Sequence, residues 1–149
     1  MVGFRRLKLG DLDRIYRDSE IRPLITTSYK GSSFAVIMEQ EDDIMGGVSG
    51  YAVDNAAFVQ NIIVKEICQR SVYMDGLFRS LIHFLELDGL EVLFVKGDAE
   101  GDNSLYFSIG FHELLGTEKF SEKQKEWIQE IFHGKPVYWI DLKKFFSPN

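Results

Sequence analysis

The stretch CQRSVYMDGLFRSL, Cys68 to Leu81, follows an apolar run, FVQNIIV, and leads into a segment with helical spacing of apolar residues. A turn between a strand and a helix N-terminus is a common place to hold a phosphate. The N–H groups there lack intrahelical acceptors, and the helix dipole favours an anion. Such turns are usually rich in glycine. Here Val72, Tyr73 and Met74 stand where glycines are expected, and Gly76 comes late. Two readings are open: a phosphate cradle without its glycines, or a structural strand–helix turn. Glycine matters only where φ must be positive or where a Cβ would block the phosphate. Valine at positive φ is strained, so the turn is expected to be either differently shaped or strained.

Other residue types with chemical potential are sparse. Cys68 is the single cysteine, which excludes an intrachain disulfide; at a strand end it reads as buried or inert. His83, His112 and His133 have no metal-ligand spacing, so no metal is expected. The acidic run EQEDD (39–43) reads as a solvated turn that would favour a cationic amine if it rimmed an acceptor cleft.

The chain has 149 residues, which suits one domain with a sizeable core. Hydrophobic residues make up 45% and charged residues 27%, the composition of an ordinary globular protein. A net charge of −6 argues against broad nucleic-acid binding. No run reaches the roughly 20 apolar residues of a membrane span, and the N-terminus lacks a signal-peptide core. No nucleic-acid or membrane partner is therefore expected, and the cytoplasm is the default compartment.

The elements that must position any site follow from periodicity. VGFRRLKL reads as a first strand broken by Gly10. Asp11 is placed to cap a short helix, DLDRIYRDSE, with Leu12, Ile15 and Tyr16 on one face. Residues 21–33 read mostly as a loop. Strands are expected at 34–40, 44–53 and 57–64, joined by short turns as an antiparallel meander; the three glycines of the second suggest a bulge or a close approach. Leu77, Phe78, Leu81, Ile82 and Leu85 mark a helix that Asp88-Gly89 ends. LEVLFV (90–95) is a buried strand, which makes strand, helix and strand a parallel crossover. A short helix at 103–111, a helix at 121–132 with a Ser121/Gln124 capping box, and a strand at 137–142 complete the chain. The expectation is one mixed α/β domain: an antiparallel front, one parallel crossover and an antiparallel tail.

This order of elements, with two local signatures, resembles the GNAT acetyltransferase family over about residues 3 to 115. The family's acyl-CoA motif runs from a strand ending in Val, through x-Pro-x-x, to Arg or Gln, x-x-Gly-x-Gly/Ala and a Leu-rich helix. Here Val64 ends the strand, Glu66 stands at the proline, Gln69 matches Arg/Gln, and Val72 and Met74 occupy the two glycine positions. Gly76, Leu77 and Phe78 match the opening of the helix. The second signature, Tyr-x-x-x-Gly-Phe, appears as Tyr106, Gly110 and Phe111. Ala99 stands where the family often has Asn, Asp102 stands at the small residue four before the Tyr, and Asn103 is near but out of register.

The resemblance implies direct acetyl transfer from acetyl-CoA, a cosubstrate, to an amine. It places the pyrophosphate donors at the amides of Arg70, Ser71, Val72, Tyr73, Met74 and Asp75, with Gln69 as a further cofactor-binding candidate. Arg70 would add a charge-assisted contact, and Asp75 would oppose the anion if aimed at it. Asn103 joins the cofactor-binding candidates. The amides of Ile62, Ile63 and Val64 would polarise the thioester carbonyl. Tyr106 sits at the general-acid position, where the alternative is a core aromatic that packs the short helix. An amine of pKa near ~10.4 must lose a proton. The strand AAFVQNIIV carries no acid; Gln60 and Asn61 can position a water, and Asp54 and Glu66 flank it as loop residues. No base is assigned. The expected acceptor is a small-molecule or peptide amine. A GNAT-fold binding module without catalysis is the alternative, and VYWIDLKKFF (137–146) is open to homodimer pairing or to filling the core.

Overall fold

The computed structural model describes residues 2–25, 32–68, 71–97, 103–133 and 135–145. In chain order the elements are β1 (Val2–Arg6), α1 (Leu12–Arg17), β2 (Ser32–Gln40), β3 (Asp43–Val53), β4 (Ala56–Val64), α2 (Ser71–Leu87), β5 (Val92–Lys96), α3 (Ser104–Ile109), β6 (His112–Glu113), α4 (Glu122–Phe132), β7 (Val137–Asp141) and α5 (Leu142–Phe145). Short 3-10 turns lie at Leu9–Asp11, Arg22–Leu24 and Glu66–Cys68. One seven-stranded sheet has the order β1-β2-β3-β4-β5-β7-β6. Every pairing is antiparallel except β4 with β5, which α2 joins as a parallel crossover.

The meander forms because its turns are short and its strands apolar. Glu41 and Asp42, at φ 50° and 70°, make the two-residue β2–β3 turn, the left-handed backbone that such hairpins require. The β3 glycines serve close approach, as expected. A Cβ on Gly50 would lie 1.9 Å from the Phe58 carbonyl oxygen. Beside it the β3–β4 register shifts: Ser49 pairs with Asn61 and Gly50 with Val59, leaving Gln60 as the extra residue of a bulge. A one-residue insertion flips every later side chain to the other face. Ala57 and Val59 pack under α2, and so do Ile62 and Val64 beyond the bulge.

The faces are covered differently. α2 lays Leu77, Phe78, Leu81, Ile82 and Leu85 across one face, with Ile109 of α3 and Leu142 of α5 alongside. Gly76 lets this helix seat on β1, since a Cβ there would lie 2.7 Å from the Phe4 ring. The other face carries two separate clusters. Ile15 of α1 packs with Ile21, Leu24, Ile37 and Ile44. Farther along, α4 packs Trp127, Ile128 and Phe132 on Phe58 and Phe94. α4 starts at the expected capping box: the Gln124 N–H donates to Ser121 Oγ and the Ser121 N–H to Gln124 Oε1, both at 3.1 Å.

Several details differ from the sequence expectation. Asp11 occupies the N-cap of α1 but bonds no N–H of that helix. Its buried carboxylate instead takes both terminal nitrogens of Arg5 at 2.8 Å, Arg14 and the Lys8 N–H. α1 is shorter than expected and buries only Ile15, while Tyr16 is exposed beneath the Arg22 guanidinium. The two-residue strand β6 has no period to betray it. Val137, Tyr138, Ile140 and Leu142 are buried in the domain's own core. Among the described residues no helix is long and apolar enough to cross a membrane.

Candidate functional site

The central pair of strands parts. β4 and β5 pair only from Ala56 to Phe58 against Val92 to Phe94. Beyond Phe94, β5 continues with β7 as far as Lys96 opposite Val137, and β4 continues with β3 as far as Val64 opposite Gly46. A gap therefore opens between the C-terminal ends of the two parallel strands, starting beside the bulge at Gln60. In an antiparallel ladder alternate amides point to alternate edges. The Lys65 N–H donates to the Met45 carbonyl at 2.8 Å, so the Ile63 amide also faces β3. Those of Ile62 and Val64 face the gap. Of the three amides expected to polarise a carbonyl, that of Ile63 serves the ladder.

The N-terminus of α2 lies just beyond β4. Gln69, which matches the motif's Arg/Gln position, and Arg70, the expected charge-assisted contact, fall outside the described residues. Val72 and Met74 are inside the helix from its first turn, and neither has positive φ. The missing glycines are thus not missed for conformation, because the helix begins before them. Val72 is 66% exposed, so its side chain does not plug the core. The N–H groups of the first turn, Ser71 to Met74, have no intrahelical acceptor. Asp75 bonds Arg79 one turn on, Nε to Oδ2 at 2.8 Å, so its charge is answered within the helix.

Tyr106 comes to the same end of the sheet from α3. Its hydroxyl donates to the carbonyl of Lys96, the last residue of β5, at 3.2 Å. Its ring meets Phe78 and Phe111 edge-on, each at 5.6 Å, and stacks on Tyr138 at 5.4 Å. The packing role and the position at the gap are therefore both satisfied by one residue. Gly110 stops α3 at φ 120°, a conformation that glycine accepts readily. Asn103 is the N-cap of α3 without bonding its N–H groups through the side chain; its Oδ1 lies near Gly97, at the end of β5. Ala99 and Asp102 lie outside the described residues.

On the face opposite α2, the α1 and α4 clusters leave a polar strip between them, where Asn61 Nδ2 approaches the buried Ser49 Oγ at 3.5 Å. Of the acids that flank β4, Asp54 is at the closed end of the strand pair, bonded by Ser121 Oγ at 3.1 Å. Glu66 is exposed at the open end. Glu39 is held by Arg5 at 3.0 Å. Lys65 meets Asp18 at 2.5 Å, clipping the end of β4 to the segment after α1. The carboxylate raises the Lys65 pKa and the ammonium lowers that of Asp18, so both stay charged. A cleft of about 790 Å³ lies at the closed end, between Asp54, Glu91, Phe120, Trp139 and Asp141. It is remote from the gap. Of residues 21–33, read as a loop, Arg22–Leu24 form a 3-10 turn, β2 already begins at Ser32, and 26–31 lie outside the described residues.

The expected bulge within β3 is present, with Met45 as its extra residue; sequence reasoning missed the one at Gln60 of β4, the Asp18–Lys65 clip and the stack of Tyr138 on Tyr106. The bulge had a signal, since AFVQNIIV loses its alternation at Gln60-Asn61. The other two join residues far apart in sequence and had none.

No protein-family model matches the chain, and no curated protein matches its sequence. Solved structures do match in fold. N-acetylglutamate synthase from Neisseria gonorrhoeae, complexed with coenzyme A and N-acetyl-glutamate, aligns at TM-score 0.70 and 16% identity over 95% of this chain. This chain covers only 35% of that synthase. The ribosomal-protein-S18-alanine N-acetyltransferase from Escherichia coli aligns at TM-score 0.68 and 18% identity over 95% of this chain and 94% of its own. A GNAT-family acetyltransferase from Staphylococcus aureus aligns at 0.64 and 8% identity over 95% and 99%. The chain has the GNAT acyltransferase fold.

Proposed function

We propose that this chain is an acetyl-CoA-dependent N-acetyltransferase that passes an acetyl group directly to a primary amine of a small molecule or peptide. The observation that carries the reading is the gap between β4 and β5, which has a helix N-terminus at one side and a tyrosine hydroxyl at the other. The fold it shares with acetyltransferases supports it.

The chain's groups fit the tasks of that reaction. The amides of the first turn of α2 supply hydrogen bonds and a positive dipole end for the pyrophosphate. The Ile62 and Val64 amides face the space where the thioester carbonyl would gain negative charge. The amine nitrogen attacks the carbonyl carbon from the face carrying Asn61 and Ser49, and the C–S bond breaks. The departing thiolate takes a proton from Tyr106, whose hydroxyl gives up its bond to the Lys96 carbonyl. The amine's own proton leaves through water that Asn61 and Gln60 position.

The test is thiol release from acetyl-CoA across a panel of amines, for wild type and Tyr106→Phe. An amine-dependent rate that falls in the variant supports the proposal. An unchanged rate rejects Tyr106 as the acid. No release with any amine, together with no binding of coenzyme A, leaves a GNAT-fold module without catalysis.

A further inference from the structure

We propose that Tyr138, on β7, is the positioning residue that sets the aim of Tyr106; this rests on the reading of Tyr106 as the acid. Three features converge on it. First, the contacts of the Tyr106 ring with Phe78 and Phe111 are edge-on, with interplanar angles of 82° and 63°, whereas Tyr138 lies nearly parallel to it, at 27°. A near-parallel ring lies along the face of Tyr106 and resists its tilt. Second, Tyr138 is itself fixed. Its backbone pairs with Val95 on one side and Glu113 on the other, the residue is 6% exposed, and Phe107 closes on its ring edge-on at 5.3 Å.

Third, Gly97, the residue after β5, makes room for this ring. A Cβ on Gly97 would lie 2.3 Å from Tyr138 Cε2 and 2.7 Å from Cδ2. The Gly97 N–H donates to the Pro136 carbonyl at 2.7 Å, which ties Gly97 to the residue before the strand carrying Tyr138. Gly97 directly follows Lys96, whose carbonyl accepts the Tyr106 hydroxyl. The ring of Tyr138 thus touches both the acid and the segment that holds the acid's hydroxyl. Among the described residues no hydrogen bond occupies the Tyr138 hydroxyl, so the stacked ring carries the role.

Misplacement of a reacting group by about 1 Å can cost ~10²-fold. Tyr138→Leu is therefore expected to lower kcat at least about 10-fold while KM for acetyl-CoA holds. Tyr138→Phe keeps the ring and should stay close to wild type. Gly97→Ala, which displaces the ring, should behave like Tyr138→Leu. A Tyr138→Leu enzyme with wild-type kcat, or a Tyr138→Phe enzyme as slow as Tyr138→Leu, would overturn the proposal. An active wild type whose rate survives Tyr106→Phe instead refutes the acid. A readout independent of turnover separates the two claims: with [13Cζ]tyrosine labelling, the Tyr106 resonance, assigned by its loss in Tyr106→Phe, should move in Tyr138→Leu and not in Tyr138→Phe. An unmoved resonance in Tyr138→Leu overturns the positioning role whatever the activity.

Discussion

The two ends of the β4–β5 seam use the same two strands in opposite ways. At the closed end, Phe58 stacks on Phe94 with centroids 5.0 Å apart, and Trp127 and Phe132 of α4 pack over Phe58 at 5.6 and 6.4 Å. At the open end the strands share no ladder, and the groups that matter are amides, a helix N-terminus and one hydroxyl. Parting a sheet leaves polar backbone groups without their ladder partners, which is costly unless water or a ligand meets them. The aromatic clamp at one end lets the other stay apart. Side chains hold the closed end, and in the proposed reaction backbone groups bind at the open one.

The comparison breaks most visibly at Phe58. Phe58→Ala should cost about 3–5 kcal/mol of stability, read as a lower denaturant midpoint, and should weaken coenzyme A binding in a protein that still folds. If binding survived unchanged, the clamp would not be what sets the gap. Tyr106→Phe should do the reverse. It is expected to lower kcat about 10²-fold, near 2.7 kcal/mol of barrier, with a stability change too small to account for that loss.

An anchor away from both ends serves as a control. The Arg5 guanidinium, with the Lys8 amide and Arg14, holds the Asp11 carboxyl well below the usual carboxylate range. A carboxylate whose pKa is lower folded than unfolded contributes its full stability above the ordinary aspartate value near ~3.9. That contribution is lost as the pH falls below this value. Asp11→Asn should therefore cost about 2 kcal/mol at neutral pH, flatten the acid limb of the stability profile and leave coenzyme A affinity alone. A steep acid limb in the variant would assign it to other carboxylates. The smallest effect is expected from Ser121→Ala, about 1 kcal/mol from loss of the α4 cap, measured by thermal unfolding without a change in the chemistry.

The same contrast explains what the sequence could show. The closed end was legible, because apolar runs and helical spacing mark buried strands and helices directly: α4, which packs there, starts at its capping box, as read. Tyr106, Gly110 and Phe111 were legible as a signature. The open end was legible only through resemblance, since any residue but proline carries an N–H. Which amides face the gap depends on the register with β3 and on the single insertion at Gln60. Val72 and Met74 looked like lost function because glycine at those positions suggests a special φ. Their backbone is helical, so the objection from φ does not apply; the objection from a blocking Cβ is a separate one. Tyr138 was only one aromatic of VYWIDLKKFF, open to core filling or homodimer pairing, because its partner lies 32 positions earlier in the chain, on another element.

The central claim is that the open end takes the pyrophosphate of coenzyme A on the first turn of α2. The most direct measurement is thermal unfolding with and without coenzyme A for wild type and Val72→Asp. The exposed first-turn position tolerates an acid, which suits the helix dipole, but an acid there repels a phosphate. At 100-fold excess over Kd a ligand stabilises by about 2.7 kcal/mol, a rise of several degrees for wild type. Val72→Asp should melt no lower than wild type alone and lose most of that rise. No rise for wild type at millimolar coenzyme A, or an equal rise in both proteins, would contradict the account.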